Sequence, residues 1–302
     1  MVKARHDTAE DFVSTQFTEG VASRSLDYIR AGFPVHLVGP PGVGKTTLAR
    51  YIAEQLGRPV TILYGHHEMR NADLLGRTRG LSESIVEDNF VHSVYKRHRS
   101  LEETWIDGPL KIAAQQGHTL IYDEFTRSHT ETNSILLSVL EERIVPQYGG
   151  KDDATSIQVH PAFSAIFTSN PLEYAGVYTS PDALLDRMIT IRLDPLDTDS
   201  EVTILVQKTG LPPEEARLIA TLVAKIRTDY FSNSPHGPGL RTGIKLATIA
   251  QTTGLIVSPA DERFHTLCCD VLGSQLFQLD ARWGLQDIRK IVSAEISSVV
   301  GG

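Results

Sequence analysis

The chain has 302 residues, 41% of them hydrophobic, and a formal net charge of -8 at pH 7. This length predicts about two domains, and the hydrophobic share is enough for a sizeable core. Because proteins that bind nucleic acid need a basic surface, the acidic balance argues against nucleic acid as a partner.

Hydrophobic residues never run for the ~18 positions that a membrane span requires. Residues 1–10 are charged where a secretory signal peptide would be apolar. We therefore expect no transmembrane segment and a cytoplasmic location. The only cysteines, Cys268 and Cys269, are adjacent in a predicted helix, a spacing at which a disulfide is strained, so we assign them no chemistry.

The periodicity of the chain predicts an arm and two folded parts. Residues 1–20 are polar without periodicity, which predicts a flexible N-terminal arm. In residues 21–195 short apolar runs alternate with helical patterns, as is typical of a parallel α/β sheet. Five runs predict its strands: Val35–Val38, Val60–Tyr64, Thr119–Tyr122, Ala165–Thr168 and Ile189–Leu193. Residues 196–302 predict an all-helical domain with helices at Glu201–Lys208, Pro213–Tyr230, Ile244–Thr253, Glu262–Leu272 and Asp287–Val300.

A phosphate-binding loop follows the first predicted strand. The octapeptide Gly39-Pro40-Pro41-Gly42-Val43-Gly44-Lys45-Thr46 fits the pattern G-x-x-x-x-G-K-[ST] and precedes a helical run. Its glycines let successive backbone N–H groups surround an anion, and the following helix points its positive end at the phosphates. Lys45 adds a mobile charge, and Thr46 offers its hydroxyl to Mg²⁺. The loop therefore predicts a nucleotide site.

Two carboxylates end the third predicted strand, at the sheet edge from which the phosphate loop also emerges. We expect Asp123 to hold Mg²⁺ directly or through water, and Glu124 to orient and deprotonate the attacking water. A strand that ends in Asp-Glu is also common as a solvated strand end. The phosphate loop upstream favours the catalytic interpretation.

Three further polar side chains are candidates for the same chemistry. Asn170 ends another buried strand, where it could hold the lytic water or sense the γ-phosphate, or serve as a turn residue before Pro171. Arg187 precedes the fifth strand, and Arg241 follows a loop rich in Pro and Gly. A guanidinium beside the transferring phosphoryl group can accelerate the reaction by ~10³ or more. Arginines at helix ends are alternatively solvated or paired with an acid.

With these features in this order, the chain resembles the AAA+ ATPases of the MoxR type, and among them most closely the gas vesicle protein N family. The resemblance covers about residues 24–195, and the helical domain matches only around Arg241. The broad resemblance rests on Gly39–Thr47, Gly108–Leu110, Leu120–Arg127, Asn133–Arg143, His160–Pro171 and Asp186–Met188. The narrower one rests on Asp88–Val94, Tyr122–Ser128, Phe167–Pro171 and Glu173–Val177.

The resemblance implies an α/β AAA+ P-loop fold with a helical lid, and a homo-oligomeric ring, usually a hexamer, that binds ATP and Mg²⁺ between subunits. It implies that Arg187 is a finger donated to the neighbour's nucleotide and that Arg241 is the sensor of the lid. Arg143 also lies where a neighbouring subunit can be reached, and stays an alternative to Arg187. Within one subunit, the phosphates, the metal and the lytic water would be handled by Gly39, Pro40, Pro41, Gly42, Val43, Gly44, Lys45, Thr46, Thr47, Asp123, Glu124 and Asn170.

Two other stretches carry weaker signals. Residues 74–107 are too long for a simple connection, and MoxR-like proteins have a helix-2 insert there. We expect this insert to face the pore or the client, with a solvated excursion as the alternative. The run His66-His67-Glu68 lacks the spacing of a metal site and is interpreted as a polar loop.

The residues and the resemblance together predict a Mg²⁺-dependent ATPase that acts as an assembly or remodelling factor in gas vesicle formation. Its expected partners are further copies of itself and gas vesicle shell or accessory proteins, in the cytoplasm or on gas vesicles. One alternative is a MoxR-type activator that works with a von Willebrand A-domain protein to mature or reactivate a metalloenzyme. Another is a nucleotide-gated scaffold with little turnover, against which Glu124 argues. No side chain that selects ATP over GTP can be singled out.

Overall fold

The computed structural model describes residues 12–87, 97–146, 156–170, 182–232, 237–279 and 283–300. In chain order the strands are β1 (Val35–Val38), β2 (Val60–Tyr64), β3 (Gly76–Glu87), β4 (Arg97–Asp107), β5 (Thr119–Asp123), β6 (Ile144–Pro146), β7 (Ser156–Gln158), β8 (Ser164–Ser169) and β9 (Ile189–Arg192).

The helices are α1 (Gln16–Arg30), α2 (Lys45–Gln55), α3 (Asn71–Leu75), α4 (Pro109–Gln116), α5 (Thr130–Asn133), α6 (Ile135–Leu137), α7 (Asp182–Leu185), α8 (Thr198–Thr209), α9 (Pro213–Phe231), α10 (Leu240–Thr253), α11 (Glu262–Leu279) and α12 (Leu285–Val300). A 3-10 turn at Phe125–Arg127 follows β5, and a π-helical turn at Ser138–Glu142 follows α6.

The predicted five-stranded parallel sheet is confirmed, with every strand end within one residue of its predicted position. The strand order is β2-β5-β8-β1-β9, and all four pairings are parallel. Val38 at the end of β1 is in register with Ser169 at the end of β8, and Tyr64 at the end of β2 is in register with Asp123. The loops that follow these strands therefore all emerge at the edge of the sheet formed by the carboxyl ends of the strands.

Both faces of the sheet are covered, as a parallel sheet requires. On one face Leu37, Ile121 and Ile166 are fully buried in a cluster that also includes residues of α1 and α2. On the other face Tyr122 and Phe167 are fully buried in a cluster that includes residues of α4. Burial of each such aliphatic or aromatic side chain contributes roughly 1.5–3 kcal/mol, which fixes the strands on which the site is built.

The prediction of an unstructured arm over residues 1–20 is wrong for residues 16–20, because α1 begins at Gln16. Thr15 caps this helix and accepts a hydrogen bond from the backbone N–H of Thr18 at 3.3 Å. Val21 and Ile29 then bury the inner face of the helix. Residues 1–11 lie outside the described part of the chain.

The insert over residues 74–107 contains an antiparallel pair, β3 with β4, that runs from Gly76 paired with Asp107 to Glu87 paired with Arg97. A second antiparallel pair joins β6 and β7. Asp88–Val94 and Glu173–Val177, which carried part of the resemblance, lie outside the described residues. Whether the insert faces a pore or a client stays a prediction.

The described residues beyond 196 are helical, as predicted, and have a hydrophobic core of their own around Leu222, Leu246 and Phe264. Helix α11 continues to Leu279, past the predicted end at Leu272, and Gly273 lies within it, where a Cβ would be 3.4 Å from Cγ2 of Ile288 in α12. Within the described residues, no helix is both long enough and apolar enough to span a membrane.

Candidate nucleotide site

The phosphate-binding loop joins β1 to α2, as its sequence predicts. Gly44 has φ 91° and directly precedes α2, a left-handed conformation that favours glycine. A Cβ atom on Gly39 would lie 2.5 Å from the carbonyl oxygen of Leu193, so this position has no room for a side chain. The first turn of α2 contains no acidic residue, so the positive end of the helix is not offset.

Lys45 is buried inside this loop. Its ammonium group donates hydrogen bonds to the carbonyl oxygens of Gly39 at 2.8 Å and Pro40 at 2.9 Å. Only 9% of the residue is exposed, so these carbonyls satisfy a charge that water reaches poorly. Phosphate oxygens at the loop would compete with neutral carbonyls for the same donors, and a charged acceptor makes the stronger bond.

Thr46 and Asp123 meet across the edge of the sheet. The Thr46 hydroxyl lies 2.9 Å from Oδ1 and 3.0 Å from Oδ2 of Asp123. The hydroxyl of Thr168, on β8, also donates to Asp123. A hydroxyl and a carboxylate side by side, next to a phosphate loop, are the oxygen ligands that Mg²⁺ takes together with phosphate oxygens. The residues present therefore fit the metal that the sequence predicts.

Glu124 follows Asp123 in an unusual backbone conformation, with φ 52°. The left-handed region costs a non-glycine residue roughly 1–2 kcal/mol, so the surroundings must hold it there. One restraint is the hydroxyl of Thr168, which accepts a hydrogen bond of 3.0 Å from the Glu124 N–H. A further restraint is an ion pair of 2.6 Å between the Glu124 carboxylate and Nη1 of Arg127.

The sequence alone assigns no role to Thr168 or Arg127. Arg127 could have been found from its spacing, because it lies three residues after Glu124, within reach across one helical turn. Thr168 is 44 residues away from Glu124, so its contact depends on the register of β5 with β8. Asn170 follows the end of β8 at the same sheet edge, and the carbonyl of its neighbour Ser169 accepts from the Gly39 N–H at 3.3 Å.

A cavity of about 540 Å³ lies between the phosphate loop and the helical lid. Arg241 lines it from the first turn of α10, and a Cβ on Gly42 would lie 3.5 Å from the Cβ of Arg241. The Arg241 side chain makes no hydrogen bond or ion pair with another described residue, so its guanidinium is available to an anion in the cavity. Apolar walls come from Phe12, Phe17, Leu240 and Ile244.

The two candidate finger arginines do not line this cavity. Arg187 lies just before β9, where the strands begin, at the edge of the sheet opposite the phosphate loop. Its Nε donates to Oε2 of Glu141 at 2.6 Å. Arg143 donates from Nη2 to the carbonyl oxygen of His160 at 2.9 Å and lies 5.9 Å from the ring centroid of Phe163. The chain thus brings Lys45, Thr46, Asp123, Glu124 and Arg241 together but keeps Arg187 and Arg143 away from its own phosphate loop.

A buried histidine supports the same sheet edge and was not singled out from the sequence. His36, on β1, is within 2.7 Å of the Ser169 hydroxyl through Nε2 and within 3.1 Å of the Thr190 hydroxyl through Nδ1. Burial lowers the pKa of His36 to about 4, so the ring is neutral at physiological pH. It links β8, β1 and β9 just below the loop.

Comparisons with known proteins agree with this geometry. The family model of the AAA domain (dynein-related subfamily) matches residues 34–188. The gas vesicle ATPase GvpN of Ancylobacter aquaticus is 43% identical over 88% of this chain and 74% of that protein. Protein NorQ of Paracoccus denitrificans is 25% identical over 72% of this chain and 73% of that protein.

Among solved structures, the RuvB Holliday junction branch migration motor of Thermotoga maritima matches with a TM-score of 0.51, over 90% of this chain and 72% of that one. Its sequence identity of 18% makes it evidence for the fold alone. The matched domain, the AAA+ fold and the 43% identical gas vesicle ATPase agree with the loop and carboxylates described above. The chain is an AAA+ ATPase with MoxR-type relatives and belongs to the family of gas vesicle ATPases.

Proposed function

We propose that this chain hydrolyses ATP with Mg²⁺ in a homo-oligomeric ring and uses the energy to remodel or load proteins during gas vesicle formation. The observation that carries the proposal is the meeting of Thr46 with Asp123 at 2.9 Å, beside the phosphate loop and beneath a lid that contributes Arg241. This arrangement has the oxygen ligands, the cations and the enclosed space that phosphoryl transfer requires.

In the proposed reaction each residue has one task. Lys45 leaves the carbonyl groups of the loop and binds phosphate oxygens, and Arg241 binds them from the lid side. Thr46 and Asp123 hold Mg²⁺, which supplies charge neutralisation for the phosphate oxygens. Glu124 orients the attacking water and accepts its proton, a role that requires its carboxylate to leave or reorient its ion pair with Arg127.

We further propose Asn170 as the residue that holds the lytic water or senses the γ-phosphate. Its position after β8, at the edge where Ser169 bonds the phosphate loop, supports this role. The apolar walls around Phe17 and Ile244 are suited to the base of the nucleotide, since a base needs a flat apolar surface more than charge.

The ring is proposed because neither candidate finger arginine lines the chain's own cavity. Arg187 is held by Glu141 at the opposite sheet edge, where it can serve a neighbour but not its own phosphate loop. An arginine supplied by a neighbouring subunit is a recurrent device in phosphoryl transfer, worth ~10³ or more in rate. Arg143 stays the alternative finger, with its guanidinium bound to backbone carbonyl groups and packed on Phe163.

The client is inferred from the relatives. Identity of 43% to a gas vesicle ATPase, over most of both chains, supports work in gas vesicle formation. We propose shell or accessory proteins of the gas vesicle as the clients and the gas vesicle as the place of action. The second candidate function is activation of a metalloenzyme together with a von Willebrand A-domain protein. It has weaker support, because the MoxR-type relative NorQ is only 25% identical.

The test of the hydrolytic part is steady-state ATP hydrolysis by Glu124→Gln and by Glu131→Gln. Glu131 is exposed on α5 and does not line the cavity, so its variant matches the charge change outside the site. We expect Glu124→Gln to bind nucleotide and lose turnover by about 10²-fold or more, and Glu131→Gln to hydrolyse normally. Equal rates in the two variants would contradict the role of Glu124.

A further inference from the structure

A second cavity, of about 360 Å³, opens at the sheet edge opposite the phosphate loop. Its lining includes Pro34 just before β1, Arg58 just before β2 and Ala165 at the start of β8. The amino ends of parallel strands meet at one edge, so this lining is built from segments far apart in the sequence. The residues thus form a defined depression rather than a single loop.

Three arginines, Arg30, Arg58 and Arg143, line this depression beside the rings of Phe33 and Phe163, and we call it the arginine pocket. Phe33 is 54% exposed. None of the residues that line the pocket is acidic. A cluster of cations with an exposed aromatic ring is the composition of a contact surface rather than of an ordinary solvated face.

Two of the three charges of the arginine pocket are oriented by neutral carbonyl groups. Arg58 donates to the carbonyl group of Ala162, and Arg143 donates to that of His160 at 2.9 Å. Carbonyl groups fix the direction of a guanidinium but carry no opposite charge. Burial lowers the pKa of Arg143, as expected for a cation without a carboxylate partner. The nearest acid to Arg30 is Asp27, at 4.0 Å in a largely exposed pair.

The arginine pocket lies next to Arg187, the proposed finger. Leu140, in the π-helical turn, lines the pocket, and the next residue, Glu141, binds Arg187. Arg143 ends the same turn with φ 57° and returns to the pocket. A neighbour whose nucleotide site receives Arg187 would therefore come close to the surface that carries the pocket.

We propose that the arginine pocket receives carboxylate side chains of a second copy of this chain and so forms part of the contact between subunits of the ring. The inference rests on the proposed ring function. Each copy has a net charge of -8, so a neighbour offers an excess of carboxylates to Arg58 and Arg143, which are bound to carbonyl groups, and to Arg30, whose pair with Asp27 is largely exposed. Complementary charges at such a contact set its register and raise the rate of association. Phe33 supplies the apolar anchor.

Charge reversal tests the pocket by assembly. Arg30→Glu and Arg30→Glu/Arg58→Glu are compared with Arg24→Glu, which lies exposed on the same helix outside the pocket. Assembly is followed by sedimentation velocity with a non-hydrolysable ATP analogue, and folding by thermal unfolding. We expect the pocket variants to weaken assembly by roughly tenfold or more and Arg24→Glu by less than about twofold. If the pocket variants assemble like the wild type, the pocket is not part of the contact between subunits, although the proposed ring is unaffected. A wild-type chain that stays monomeric contradicts both.

Zero-length crosslinking tests the pocket without removing charge. Arg30→Lys places an amine in the pocket, and a carbodiimide joins it only to a carboxylate in direct contact. Copies labelled with heavy nitrogen are mixed with unlabelled copies, so a crosslink to Asp27 of the same chain is distinguished from one to the neighbour. We expect crosslinks between copies from position 30 in Arg30→Lys and none above background from Arg24→Lys. Crosslinks confined to one chain would overturn the proposal.

Discussion

Replacement of Thr168 by valine tests how the carboxylates of the site are held. Thr168 is fully buried, and its hydroxyl accepts from the Glu124 N–H at 3.0 Å while donating to the carboxylate of Asp123. Valine has nearly the same shape, so the substitution removes both hydrogen bonds with little change in packing. It leaves a backbone donor and a carboxylate oxygen each short of one partner.

The magnitude follows from these two bonds. A neutral hydrogen bond contributes about 0.5–1.5 kcal/mol, and one to a charged group about 1.5–3 kcal/mol. We therefore expect Thr168→Val to lower the free energy of unfolding by about 2–4 kcal/mol. Because the same hydroxyl restrains Glu124 at φ 52°, we also expect kcat to fall by about 10–10²-fold, with a smaller change in KM.

The assay is urea unfolding together with steady-state ATP hydrolysis. Thr168→Ser is the matched control, because it keeps the hydroxyl and loses only a methyl group, which costs about 1 kcal/mol. Its kcat is expected within about threefold of the wild type, as a preserved restraint on Glu124 requires. A Thr168→Val protein with wild-type kcat and an unchanged unfolding midpoint would refute this account of how Glu124 and Asp123 are positioned.

Three further predictions concern pH, the lid and the cavity wall. His36 is neutral in the folded chain with a pKa of about 4, while its ordinary pKa is 6.5. As the pH falls, the unfolded chain therefore takes up a proton on His36 before the folded chain does. The free energy of unfolding should fall by about 3 kcal/mol between pH 6.5 and pH 4 for this reason. His36→Asn should not show this decrease when unfolding is measured as a function of pH. Arg227 pairs at 3.0 Å with Glu201, whose side chain is 3% exposed. Arg227→Met leaves that buried carboxylate without its partner and should destabilise the lid by about 3–5 kcal/mol in thermal unfolding. The double variant Arg227→Met/Glu201→Leu removes both charges and should destabilise the lid by less. Phe17 is 40% exposed and lines the cavity beside the phosphate loop. Phe17→Ala should raise the KM for ATP by about three- to tenfold with little change in kcat. An unchanged KM would show that Phe17 does not contact the nucleotide base.

The sheet could be predicted from sequence because its strands are short buried runs with clear limits. Both neighbours of β1 in the sheet are formed by later segments, so the order of strands depends on contacts that periodicity does not encode. Helix α1 was missed at its start because Thr15 and Thr18 form a local cap in a stretch whose composition is polar. The phosphate loop and the two carboxylates were found because each is contiguous in the sequence.

The remaining parts of the site depend on contacts between distant segments. The left-handed conformation of Glu124 cannot be anticipated from a glutamate, since that region is rare for any residue but glycine. The restraint from Thr168 and the support from His36 require the register of three strands. The arginine pocket is assembled from the ends of several elements, which no local pattern reveals.

The most direct test of the central claim is ATP hydrolysis by mixtures of two inactive variants, Arg187→Ala and Glu124→Gln. If active sites form between subunits, a mixed ring contains interfaces where an intact Glu124 meets an intact Arg187, and turnover should return in part as the ratio approaches one to one. The total protein concentration is held constant. Mixtures of Glu131→Gln with Glu124→Gln serve as the control, because they show how turnover changes when an active subunit is diluted with an inactive one. Restored turnover above the activity of either variant is the predicted result. No restoration at any ratio, although both variants assemble, would contradict a site shared between subunits.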